Sequence, residues 1–167
     1  MRGAKPCVLV VDDDVAVRDS LCNVLEQAGY TVVVAADGRD GLAELKHQQM
    51  DVLLLDLNLP KLNGFELLDV AVEKCPLAGV IILTGMLAHC EPGALAGADA
   101  LFEKPPDVAK LLQTIAQLVA QPAEERLKRR LGNSPGALPT PGGYAWRVTS
   151  VPVASSSGTP PGATSLR

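Results

Sequence analysis

The chain has 167 residues, enough for one domain of ordinary size and an appendage, and 47% of them are hydrophobic. With an aromatic fraction of only 3%, any core must be built from Val, Leu, Ile and Ala. The net charge of −4 is unevenly divided: 9 Lys+Arg against 17 Asp+Glu up to Gln121 give −8, and 6 against 2 from Pro122 onward give +4, a balance that lacks the basic body expected of a nucleic-acid-binding domain.

Four widely spaced cysteines, no CxxC and two histidines give no basis for a zinc site. Cys7 and Cys22 sit among apolar residues and read as small core residues. The N-terminal apolar run is too short for a signal peptide, and no 18-residue apolar span exists. The expectation is a reduced, cytoplasmic, soluble protein with no membrane partner.

In chain order, the first apolar run is "CVLVV" (7–11), which stops in Asp12, Asp13 and Asp14. Three adjacent carboxylates repel one another, so their place after a buried strand needs a cause. Asp14 is suited to cap a helix. Val17, Leu21, Val24, Leu25 and Ala28 follow at helical spacing, and Gly29 supplies a stop. A second strand, "TVVVAA" (31–36), leads to Asp37, which could cap a helix running to about His47. "VLLLD" (52–56) is a third strand, and "GFELLDVAVE" from Gly64 to Glu73 a third helix. "GVIIL" (79–83) and "ALFE" (100–103) complete the strands. After "KPP", Val108, Leu111, Leu112, Ile115 and Leu118 mark the last helix of the body. "AEERLKRRLG" (123–132) predicts a basic helical extension, with Glu125 and Arg129 in the favourable order for a pair. From Asn133 on, Pro, Gly, Ser and Thr dominate, a composition that predicts disorder over 133–167.

Continuous apolar strands alternating with helices predict an α/β fold, a doubly wound five-stranded parallel sheet flanked by helices. Ligands of such sheets bind beyond the carboxyl ends of the strands. Asp12 and Asp13 end the first strand, Asp56 the third, Thr84 the fourth and Lys104 the fifth. Gathered carboxylates suit a hard divalent cation such as Mg²⁺, which takes oxygen ligands and bridges carboxylates to phosphate. A hydroxyl and an ammonium nearby suit phosphoryl oxygens, and a carboxylate can itself be the nucleophile. The chemistry suggested is metal-assisted phosphoryl transfer onto an Asp.

"VLVVDDD", "LLLDLNLPKLNG", "ILTG" and "EKPP", in this order and each at the end of an apolar run, resemble the receiver domain of bacterial two-component response regulators over about residues 5–121. The resemblance implies a flavodoxin-like fold in which Asp56 accepts a phosphoryl group from a sensor histidine kinase or phosphotransfer protein. Asp13 would bind Mg²⁺ directly, Asp12 through water or more weakly, and Asp56 and the main-chain carbonyl of Asn58 would complete the protein ligands. Thr84 would hydrogen-bond the phosphoryl group, Lys104 would pair with it, and Pro105 would follow a cis peptide bond. Pro60 and Gly64 fit the loop after the acceptor. The phosphorylated form would signal to a downstream protein, and a homodimer is among the assemblies the resemblance implies. It implies a phosphoacceptor switch rather than an enzyme.

Three departures accompany the resemblance. Leu101 stands where the family carries a switch aromatic, and Phe102, one residue on, points to the opposite face. The interval from Thr84 to Lys104 is shorter than usual and carries Pro92 and Gly93, so the helix between the fourth and fifth strands is expected to be short or distorted. Met86, two residues after Thr84, suggests slow self-dephosphorylation. The missing aromatic and the shortened helix keep open a pseudo-receiver, the same fold used as a phosphorylation-independent docking module. A phosphatase working through an aspartyl-phosphate would want an acid two residues after the nucleophile, where Asn58 stands. A flavin protein would want a phosphate loop where three acids follow the first strand. Only 46 residues follow Gln121, too little core for a DNA-binding effector domain.

Overall fold

Five short aliphatic runs pair side by side in the computed structural model, which describes residues 5–85 and 97–132, with side chains to residue 128. They are β1 (Cys7–Val11), β2 (Thr31–Ala35), β3 (Val52–Asp56), β4 (Gly79–Thr84) and β5 (Ala100–Glu103). All pairings are parallel, in the order β2-β1-β3-β4-β5. The helices are α1 (Val15–Gln27), α2 (Gly38–His47), α3 (Gly64–Lys74), α4 (Val108–Ala120) and α5 (Ala123–Gly132). Against the expected bounds, the second strand ends one residue early and the fourth runs one further, to Thr84; such ends fray readily. The segment expected to hold a helix between β4 and β5, with Met86, His89, Cys90, Pro92 and Gly93, lies outside the described residues, as do residues 133–167 and the Arg129 side chain.

Alternation along each strand divides the core in two. Leu9, Leu53, Leu55, Val80 and Ile82 pack with Leu45 of α2 and with Leu67, Leu68 and Ala71 of α3. Their strand neighbours Val8, Val10, Val52, Leu54 and Ile81 pack on the other face with Leu21 and Leu25 of α1 and Leu111, Ile115 and Leu118 of α4. Each fully buried Leu or Ile contributes about 1.5–3 kcal/mol of transfer free energy. The three central strands β1, β3 and β4 are buried almost throughout, as near-continuous apolar strands must be in a sheet covered on both faces.

Short side chains set where the helices begin. Asp14 accepts the backbone N–H groups of Ala16 and Val17, Asp37 those of Arg39 and Asp40, Asn63 that of Phe65, and Asp107 that of Lys110. Each such cap is worth about 1 kcal/mol. Because the caps for α1 and α3 follow β1 and the loop after β3, the chain turns back beyond the carboxyl ends of those strands. At its other end α1 stops on Gly29, whose φ of 93° is the left-handed conformation that favours glycine.

Arg126 anchors helix α5 to the body. Arg126 is buried, and its guanidinium donates to the carbonyls of Leu77, Val119 and Gln121 at 2.9, 2.6 and 3.0 Å. Two of these carbonyls belong to the end of α4 and the third precedes β4. Among the described residues no helix is long and apolar enough to cross a membrane.

Candidate functional site

The parallel register brings the acids to one edge. Val11 pairs with Leu55 across β1 and β3, so Asp12 and Asp56, the residues that follow, lie side by side. Asp56 pairs with Leu83, which places Thr84 one step beyond it on β4, and Thr84 pairs with Glu103, which delivers Lys104 to the same edge. Asp12, Asp56 and Thr84 are buried, at 1%, 5% and 1% exposure, while Asp13 faces solvent.

One carboxylate oxygen from each of Asp12, Asp13 and Asp56 lies within 4.8 Å of the others. Asp56 Oδ1 accepts the backbone N–H of Asn58 at 3.0 Å, and Asp56 Oδ2 accepts from Lys104 Nζ at 2.6 Å. Lys104 Nζ also lies 2.5 Å from Asp12 Oδ2. That ionic contact leaves Asp12 Oδ2 without any further partner. Burial works against the charged form of Lys104, but contacts with Asp12 and Asp56 outweigh it and hold the ammonium above its ordinary range. The bond between Lys104 and Pro105 is cis.

Three carboxylates converge on a point that one lysine only partly neutralises. The donors are all oxygen, the buried Asp12 Oδ2 is met by the ammonium alone, and Asp13 opens the group to water. That set fits a hard cation that keeps part of its water shell, as Mg²⁺ does.

The residues singled out in the sequence thus assemble at one edge: Asp12, Asp13 and Asp56 as a cluster, Lys104 bridging two of them, and Thr84 and Asn58 flanking Asp56. Leu101 packs with the core on the α2 and α3 face and Phe102 with the core on the α1 and α4 face, as their alternation requires. The sequence reading passed over Arg18, whose Nη1 donates to the backbone carbonyl of Asp12 at 2.6 Å. Its position one helical turn after Asp14 was the available signal. It also passed over the pair of Asp37 and Lys61, joined at 2.5 Å across the rim of the site.

A family model for the response regulator receiver domain matches residues 8–116, and the chain belongs to that family. It is 36% identical over 118 residues to the DNA-binding dual master transcriptional regulator RpaA of Synechocystis, a match covering 68% of this chain and 49% of that protein. It is 35% identical over 136 residues to a protein-glutamate methylesterase/protein-glutamine glutaminase of Rhodospirillum rubrum, covering 76% and 37% respectively. The chain therefore spans about half the length of these curated relatives, or less. Among solved structures, a CheY-like receiver domain protein from Methanospirillum hungatei matches with a TM-score of 0.67 at 34% identity, over 75% of this chain and 98% of that one. The response regulator TrrA of Thermotoga maritima, solved in complex with Mg²⁺-BeF, matches with a TM-score of 0.64 at 26% identity, over 68% and 98%. Receivers of this family are signalling switches.

Proposed function

We propose that this chain is a phosphorylatable receiver in which Asp56 accepts a phosphoryl group from a sensor histidine kinase or a phosphotransfer protein. The observation that carries the reading is the joint contact of Lys104 with Asp12 and Asp56, beside a third carboxylate within 4.8 Å. A carboxylate oxygen of Asp56 forms a bond to phosphorus as the donor's phosphorus–nitrogen bond breaks; the electron pair stays on the imidazole nitrogen, which takes a proton from solvent. Lys104 pairs with a phosphoryl oxygen and Thr84 donates its hydroxyl to another. Asp12, Asp13, Asp56 and the main-chain carbonyl of Asn58 would hold Mg²⁺, which would neutralise charge on the phosphoryl oxygens. The new charge at Asp56 shifts a two-state equilibrium that a downstream protein reads. Residues 5–121 form the receiver and 122–132 a basic helical extension.

Incubation with acetyl phosphate and Mg²⁺, followed by intact mass measurement, tests this. The expected result is one phosphoryl adduct that requires Mg²⁺ and is lost in Asp56→Asn. A folded protein that gains no adduct, under conditions that label another receiver, would support the docking-module reading, which Leu101 in place of the family's aromatic favours.

A further inference from the structure

The loop between β3 and α3 meets two constraints at Lys61. Its φ is 69°, and Leu62 donates its N–H to the carbonyl of Pro60 at 2.9 Å, so Lys61 is the centre of a three-residue turn. A left-handed conformation costs a residue with a side chain about 1–2 kcal/mol, and such a turn persists where its surroundings hold it. Here the holding group is Asp37, 24 residues earlier, whose Oδ2 lies 2.5 Å from Lys61 Nζ. Asp37 is only 4% exposed. Its other oxygen is fixed by the N–H groups of Arg39 and Asp40 at 2.9 and 3.0 Å, so the carboxylate cannot swing away without uncapping α2.

The backbone around the pair is closely packed. A Cβ on Gly38 would collide with the carbonyl oxygen and Cβ of Leu62, so the tip of the loop lies directly on the first turn of α2. A Cβ on Gly64 would stand 2.5 Å from the Cα of Leu57 and 2.6 Å from the carbonyl oxygen of Asp56, so the far end of the loop closes on the acceptor strand. Between these two contacts lies Asn58, whose N–H holds Asp56 Oδ1. The tip is held by charge as well as by its contact with α2, and the two ends of the loop close on each other.

We propose that Lys61 and Asp37 are positioning residues for the phosphoacceptor site: their ion pair clamps the acceptor loop to the start of α2 and so fixes the Asn58 backbone beside Asp56. The inference rests on the function proposed above. Neither side chain touches the acceptor, so the effect is transmitted through the loop.

The test uses the full chain and its Lys61→Ala, Asp37→Asn and Lys61→Arg variants. Asparagine caps a helix as well as aspartate does, so Asp37→Asn removes the charge and keeps the start of α2. Phosphoryl uptake from acetyl phosphate is measured against Mg²⁺ concentration, with thermal midpoints in parallel. Lys61→Ala and Asp37→Asn are each expected to raise the Mg²⁺ needed for half-maximal uptake by about tenfold, the lower range for groups that orient a metal ligand. The double variant should be no worse than either single one, and Lys61→Arg should restore most of the loss. Lys61→Gly, which relieves the turn but lacks the amine, should need as much Mg²⁺ as Lys61→Ala. A lowered midpoint with an unchanged Mg²⁺ requirement would make the pair structural only and overturn the inference, while leaving the proposed function standing. Wild-type protein that takes up no phosphoryl group would overturn both.

Discussion

Lys104 stands between two buried carboxylates, and its removal leaves Asp12 and Asp56 facing one another. Breaking a fully buried pair costs about 3–5 kcal/mol. Lys104 is 21% exposed, so about 2 kcal/mol is the expected loss for Lys104→Met without metal. Mg²⁺ should recover much of that loss, because a divalent ion compensates the same two carboxylates. Urea unfolding of both proteins with and without Mg²⁺ checks this; an equal loss in both conditions would show that metal and ammonium do not share the site. The residues of this cluster were legible in the sequence because each ends an apolar run, and parallel strands present all such ends at one edge. Lys61 was not legible. Its conformation is one that Gly or Asn adopts locally, and it is imposed by an aspartate 24 residues away. Asp37 was read as a cap, which it is, but nothing in its own neighbourhood shows where its second oxygen goes.

Elements with a strong apolar stripe were placed nearly to the residue. Leu111, Ile115 and Leu118, three of the five residues that marked the last body helix, are the ones α4 buries. Helix α5 was expected from its charge pattern, but its attachment was not. Arg126 reads as one of a basic run, and its burial depends on where α4 ends and on the carbonyl of Leu77. Three donors of one guanidinium serve three carbonyls there, so Arg126→Ala should weaken the docking of α5 by about 2 kcal/mol. Amide exchange should then quicken over residues 123–128, and trypsin should cut sooner after Lys128, while the strands keep their protection. Arg126→Lys should not rescue docking, since an ammonium cannot reach three carbonyls in a planar fork.

At the scale of the whole molecule, charge pairing predicts how stability follows pH. The Lys61 ammonium and the backbone N–H groups at the start of α2 hold Asp37 below the usual carboxylate range; the N–H of Lys110 and its ammonium do the same for Asp107. A group lowered on folding contributes stability above its unfolded value and loses it as pH falls through the folded value. Lys104 is raised on folding, so its contribution is complete below the unfolded lysine value and is lost as pH rises through the folded one. Urea midpoints should therefore form a plateau through neutral pH with a fall at each side, and Lys61→Ala should soften the acid side. The fold class was legible because the two-faced burial of β1, β3 and β4 is written directly in their composition. Asp56 stands where β3 ends, whereas the Arg126 anchor grips the carbonyl that precedes β4 and the end of α4, at the opposite pole of the same strands. At roughly 3.3 Å per residue, the five residues of β3 put about 17 Å of packed strand between the two. Helix α5 therefore hangs from the floor of the molecule while the carboxylate cluster sits at its roof, and the packed strands are the walls between them.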